Sequence, residues 1–144
     1  MADTNQPAPS KIGAPIDFIV ERGAVERFAA AAQSTSPEHR GDDAIIHPTF
    51  LMSVAQWMNP EDRVQTGFDR ARVLHGSQEF RYVGEPPRAG ARLTAQERIV
   101  DRFEKEGRRG GLMRFAVVET EFRDAHSRDL VASMRMTVIE RAAS

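Results

Sequence analysis

The chain has 144 residues, a length expected for one domain, and its 20 Lys and Arg against 21 Asp and Glu give a formal net charge of −1. That balance lacks the basic excess of nucleic-acid-binding proteins, and the absence of cysteine excludes disulfides, thiolate metal sites and a thiol nucleophile. No apolar run approaches the roughly 18 residues that span a bilayer, and the opening MADTNQPAPSKIG has no apolar core of a secretory signal. The expectation is a soluble, cytoplasmic protein with neither nucleic acid nor membrane as partner.

Residues 1–14, with Pro7, Pro9 and Ser10, read as a flexible tail, and 15–144 as one domain. A short apolar stretch at 16–20 leads into GAVERFAAAAQ, where Val25, Phe28, Ala29 and Ala32 recur on one helical face. Ser34, Ser36 and Pro37 stop that helix, and a polar loop with Gly41, Asp42 and Asp43 follows. In FLMSVAQWMN the apolar residues lie nearly all round, which predicts a buried helix over 50–59 between Pro48 and Asn59–Pro60. Residues 60–70 read as a polar excursion.

The period then changes. Segments 72–83, 91–103, 112–122 and 130–139 tend to alternate, most clearly in Leu130, Ala132, Met134, Met136 and Val138 against Ser133, Arg135 and Thr137. In the third segment Phe115 and Val117 oppose Arg114, with Ala116 and Val118 blurring the pattern. GEPPRAG, EGRRGG and DAHSRD supply the turns, so the segments read as long antiparallel strands, with 16–20 as a weaker edge strand. Helices followed by a run of strands give an α+β domain, and an all-apolar helix beside a long sheet points to the hot-dog arrangement. One helix leaves much of such a sheet uncovered, so a dimer is expected.

RGAVERFAAA, HPTF, RVLHGSQEFRY and ETEFRDAHSRDLVASMRMTVIER together resemble the MaoC-like and FAS1-like hot-dog dehydratases, and within them the small accessory subunits of mycobacterial-type (3R)-hydroxyacyl-ACP dehydratases. The resemblance covers residues 16–141 in order. It implies a substrate, a (3R)-hydroxyacyl or trans-2-enoyl thioester of coenzyme A or acyl carrier protein, and no cofactor or metal. Catalytic relatives carry an Asp, then Asn-Pro, then a His five positions after the Asp, the pair that moves the protons. Here His39 stands at the His position and Ser34 at the Asp position, so half of the acid–base pair is missing. Relatives also open the buried helix with His-Gly, whose amide helps hold the thioester oxyanion. This chain has His47-Pro48, and Pro48 has no N–H, leaving Thr49 and Phe50 as candidate donors.

The resemblance therefore implies the chain-holding half of a heterodimer of hot-dog subunits. Phe50, Met52, Val54, Trp57 and Met58 are the candidate lining of an acyl tunnel, Thr49 is a further substrate-binding candidate, and His75 and Gly76 are substrate-side candidates. Alternatives stay open: a non-catalytic acyl-binding or structural module, or a self-sufficient homodimeric hydratase using His39, with Asp42 or Asp43 supplying the acid. A thioesterase would need a carboxylate on the 50–59 helix, which has none. His39, His47 and the two aspartates have no recurring metal-ligand spacing, and Lys105, Arg108 and Arg109 read as a solvated turn before a carrier-docking patch.

Overall fold

The computed structural model describes residues 11–143. Five strands, β1 (Ile16–Ile19), β2 (Val73–Tyr82), β3 (Arg92–Glu106), β4 (Leu112–Asp124) and β5 (Leu130–Glu140), form one sheet in the order β1-β3-β4-β5-β2. Every pairing is antiparallel. The four expected long strands and the edge strand are all present, within three residues of the alternating segments.

The helix α1 (Arg22–Ala31) forms because Glu21 caps it, its carboxylate accepting the amides of Gly23 at 3.1 Å and Ala24 at 2.6 Å. Those two amides hold the Glu21 carboxyl below its ordinary value. Val25 and Ala29 face the core, and the helix stops where Gln33 takes a φ of 58°.

Residues paired across the ladders share a face, and the inner face is built from Leu93 and Ala95 of β3, Ala116, Val118 and Phe122 of β4, and Ala132, Met134 and Val138 of β5. In β4 the even positions are therefore the core ones. Phe115 and Val117 lie on the outer face, where Phe115 stacks on Phe103 at 4.6 Å with the Lys105 ammonium over both rings. Two apolar residues outside the core masked the true phase of this strand.

Residues 1–10 of the expected tail lie outside the described residues. Its last residues are tied down: Ile12 bridges Arg98, Gly13 donates to the Glu97 carbonyl at 2.9 Å, and Ala14 donates to the Asp62 carbonyl at 3.0 Å.

The expected buried helix differs in kind. Phe50–Gln56 is a 3₁₀ helix of seven residues, tightened by Phe50 donating to the His47 carbonyl at 2.9 Å and Met52 to the Thr49 carbonyl at 3.1 Å. Pro48 and Pro60 bracket it, leaving little room for an α-helical ladder. Phe50, Leu51, Val54 and Met58 are buried against Phe18, Leu93, Ala95 and Phe122, whereas Trp57 is 49% exposed and touches Phe18 edge-on at 6.0 Å.

The polar excursion is a roof. Residues 60–72 cross the other half of the inner face, burying Val64 and Phe68 against Ala116, Val118 and Val138. Two buried carboxylates hold this irregular segment. Glu97, 3% exposed, accepts from Arg63 at 3.1 Å and from the Val64 amide at 3.0 Å. Glu140, 2% exposed, accepts from the Asp69 amide at 2.7 Å, from Arg72 at 3.1 Å and from Arg114. The sheet with its short 3₁₀ helix and this roof make a hot-dog fold.

On the edge strand β2 a bulge between His75 and Ser77 places Gly76 against β5. A Cβ there meets Ile139 Cδ1 at 2.7 Å and the Thr137 carbonyl oxygen at 3.1 Å, so glycine is required by close approach.

Arg63→Met removes the guanidinium from the buried Glu97 carboxylate, and should cost about 3 kcal/mol of unfolding free energy in urea. Glu140→Gln, whose arginine partners reach solvent, should cost less, about 2 kcal/mol. Gly76→Ala should cost about 1–2 kcal/mol by overpacking, and adding Ile139→Val should recover part of it in a double-mutant cycle.

Candidate functional site

The loop between α1 and the 3₁₀ helix carries the two site histidines. Ser34 is half-buried and its Oγ accepts the Ser36 amide at 3.4 Å, and Ser36 in turn caps the short 3₁₀ turn Pro37–His39. His39 ends that turn and is 9% exposed. Its Nδ1 lies 2.7 Å from the Ile45 carbonyl oxygen; a carbonyl only accepts, so Nδ1 carries the proton and Nε2 keeps its lone pair.

His47 has the opposite tautomer. Its Nδ1 accepts the Thr49 amide at 3.3 Å and lies 3.0 Å from the Thr49 hydroxyl, so in the neutral ring the proton sits on Nε2. The two rings are 5.7 Å apart, and Phe28 packs on His47 at 5.6 Å.

The amides proposed as oxyanion donors are both occupied: Thr49 donates to His47 Nδ1 and Phe50 to the His47 carbonyl. Pro48 contributes only its carbonyl, which accepts the Tyr82 hydroxyl at 2.7 Å, and burial pushes that phenol up to about 12. Asp42 and Asp43, the alternative acids, are exposed and ion-paired to Arg22 at 2.5 Å and Arg88 at 2.9 Å. Neither is held as a base beside His39. Among the described residues no three of His, Asp and Glu converge as a metal-binding group.

The expected tunnel residues are not gathered around one cavity. Phe50 and Met52 border an open groove of about 400 Å³ between α1 and the 3₁₀ helix, with Phe28, Arg27 and Ser53 as further walls. Val54 and Met58 are core. Trp57 sits at the surface and Thr49 is exposed, while His75 and Gly76 lie on the exposed edge strand. The 3₁₀ geometry turns Trp57 outward, and the bulge turns His75 and Gly76 into an edge feature.

A larger cleft, about 690 Å³, lies between the 60–72 roof and the inner face of the sheet. Val64, Phe68, Val73, Val118, Met136 and Val138 give it apolar walls, and the Arg63–Glu97 pair forms part of its lining. Sequence reasoning missed it because the roof reads as polar. The available signal was Glu97, in phase with Leu93 and Ala95 on an otherwise apolar strand face.

Comparison with known proteins places this geometry. No helix among the described residues is long and apolar enough to cross a membrane. A protein from Streptomyces griseus described as a UPF0336 protein is 36% identical over 93 residues, covering 57% of this chain and 61% of that protein. The chain thus spans less than two thirds of the curated relatives it matches. The HadBC (3R-hydroxyacyl-ACP dehydratase) complex of Mycobacterium tuberculosis contains a chain that superposes with a TM-score of 0.74 at 20% identity, covering 93% of this chain and 98% of that one. The R-hydratase PhaJ1 of Pseudomonas aeruginosa gives 0.61 at 13% identity, over 95% and 83%. These structures share the fold. The family model for the FAS1-like dehydratase domain region matches residues 10–133, and the chain belongs to that family.

Proposed function

We propose that this chain is a subunit of a hydratase or dehydratase of acyl thioesters, whose own part is to hold the acyl chain while a second hot-dog subunit supplies the efficient proton-transferring pair. The observation that carries this reading is the 690 Å³ cleft beneath the 60–72 roof, with an apolar side of Val64, Phe68, Val73, Val118, Met136 and Val138 and a polar side that includes Arg63 and Glu97, in a chain whose Asp position is Ser34 and whose candidate oxyanion amides are already bonded. The valine, methionine and phenylalanine side of the cleft offers a flexible hydrocarbon contact, and its charged side lies toward the roof. The roof is held by the Glu97 and Glu140 clasps at its ends and by Val64 and Phe68 packed on the sheet, and the cleft lies alongside these contacts.

The heteromeric assembly is supported by two similar structures, HadBC and the ChsH1-ChsH2 complex of Mycobacterium tuberculosis, the latter with a TM-score of 0.67 at 15% identity. The carrier on the thioester is coenzyme A or acyl carrier protein. The earlier lining residues are replaced in this reading: Trp57 takes no part in holding the chain, and Val118, Met136 and Val138 do.

The test compares hydration of crotonyl-CoA and of a long-chain enoyl-CoA by the purified chain alone and with a catalytic hot-dog subunit added. The chain alone should be feeble with both, and the complex should turn over both. In the complex Val118→Phe, which fills the cleft, should lower kcat/KM for the long substrate about tenfold and leave crotonyl-CoA within about twofold. Full activity of the chain alone, or equal loss for both substrates, overturns the reading.

A further inference from the structure

The cleft beneath the 60–72 roof changes in charge from one end to the other. Its floor runs from Glu97 on β3, through Val118 on β4 and Met136 and Val138 on β5, to Val73 at the start of β2. Those four strands are adjacent, so the floor spans three inter-strand spacings, about 14 Å. At the β3 end stand two carboxylates, Glu61 and Glu97, with the Arg63 guanidinium bonded to Glu97. At the β2 end the charged lining residue is Arg70.

Arg70 differs from the arginines around it. Arg63 is spent on Glu97, Arg72 on Asp69 and Glu140, and Arg114 on Glu140. Arg102 gives its guanidinium to the Thr66 carbonyl at 3.0 Å and to the Phe68 ring. Arg70 is exposed and makes no hydrogen bond or ion pair among the described residues. Nearby acids do not claim it: Asp69 and Glu140 are bonded to Arg72, and Glu104, in the ladder row of Glu140, sits two strands away on β3. The backbone that carries Arg70 is fixed. Asp69 caps the turn Arg70–Arg72 by accepting the Ala71 amide at 3.0 Å, and its own amide donates to Glu140 at 2.7 Å.

This arrangement selects a ligand and its direction. Hydrocarbon is accommodated along Val118, Met136 and Val138. An anionic terminus at the β3 end meets Glu61 and Glu97, whereas at the β2 end it meets a guanidinium with no other claim on it. A carboxylate matches that planar fork with two parallel hydrogen bonds, which a methyl or hydroxyl terminus cannot do.

We propose that the cleft takes an aliphatic chain ending in a carboxylate, and that Arg70 is the residue that selects this terminus. The inference rests on the reading of the cleft as an acyl-chain site. The carboxylate belongs either to an unesterified fatty acid or to the far end of a dicarboxylic acyl thioester. Arg70 moves no proton; it sets specificity. Each methylene drawn into the cleft tightens binding about fourfold, and an ion pair that reaches solvent adds about fivefold at most. Hydrocarbon thus sets the affinity, and Arg70 the choice among chains of one length.

Equilibrium dialysis of the full chain against decanoate and decanol, whose extended chains fit within the floor, tests this. Decanoate should bind about fivefold tighter than decanol. Arg70→Gln should erase that difference, and Arg70→Glu should leave decanoate the weaker of the two, both with the wild-type urea midpoint. Val118→Phe should weaken both ligands about tenfold. The source of the carboxylate is read in the complex with a catalytic hot-dog subunit. Preference for a long enoyl-CoA ending in a carboxylate over its methyl-ended equivalent, lost in Arg70→Gln, assigns the group to the far end of the substrate. Inhibition by decanoate without that preference assigns it to an unesterified acid. Equal affinity for decanoate and decanol, or binding indifferent to Arg70→Gln, overturns the proposal, while weakening by Val118→Phe leaves the acyl-chain reading standing. Binding of neither ligand, or binding that Val118→Phe does not weaken, overturns that reading and the proposal with it.

Discussion

Two carboxylates set into the inner face of the sheet, Glu97 and Glu140, hold the least regular segment of the molecule in place. A buried carboxylate is costly unless its oxygens are matched by donors, and here each is met by a guanidinium and by a backbone amide of the roof. The bonds therefore fix main chain as well as side chains. Segment 60–72 has no ladder of its own beyond two short 3₁₀ turns, yet it is anchored at both ends across β3 and β5. Arg102 and Arg114 add their guanidiniums over the Phe68 ring, at 5.7 Å and 5.3 Å, which keeps the middle of the roof down. Polar clasps at both ends act together with the packing of Val64 and Phe68 on Ala116, Val118 and Val138 to position the roof, with the cleft beside these contacts.

The polar chemistry at the other end of the inner face is organised by main chain in the same way. The amides of Thr49 and Phe50 are spent on His47, the Ile45 carbonyl on His39, and the Ile45 and Ile46 amides on the Glu38 and Pro87 carbonyls. This fixes ring orientation and consumes the amides that a thioester oxyanion would use.

Much of the fold was legible because strands advertise their period. β5 alternates cleanly, and its inner residues Ala132, Met134 and Val138 are the expected ones. β4 was blurred because Phe115 is large and apolar on the outer face, where stacking on Phe103 and not core packing explains it. The 50–59 helix was legible as buried but not as 3₁₀, since composition does not reveal the i→i+3 bonds that Pro48 and His47 impose. The roof hid because Val64 and Phe68 are only two apolar positions among charges whose partners lie far along the chain, at Glu97 and Glu140. The candidate site was legible to the level of residue type: the serine in place of the acid was visible, whereas the tautomers of His39 and His47 depend on carbonyl and amide positions that a sequence does not display.

The order of strands in the sheet carries a kinetic consequence. β3, β4 and β5 are joined by two hairpins, so their pairing closes only short loops, and this meander is free to assemble early. The two outer strands precede the meander in sequence and pair across long separations: Ile16 lies opposite Ala95, and Tyr82 opposite Ala132. Their docking waits on the meander, and so does everything between them in sequence, including both histidines and the roof. The transition state then consists of the C-terminal half, and substitutions around the site leave the folding rate nearly untouched while hastening unfolding. The loops before the meander are thus the part of the chain whose changes weigh least on the speed at which the scaffold forms.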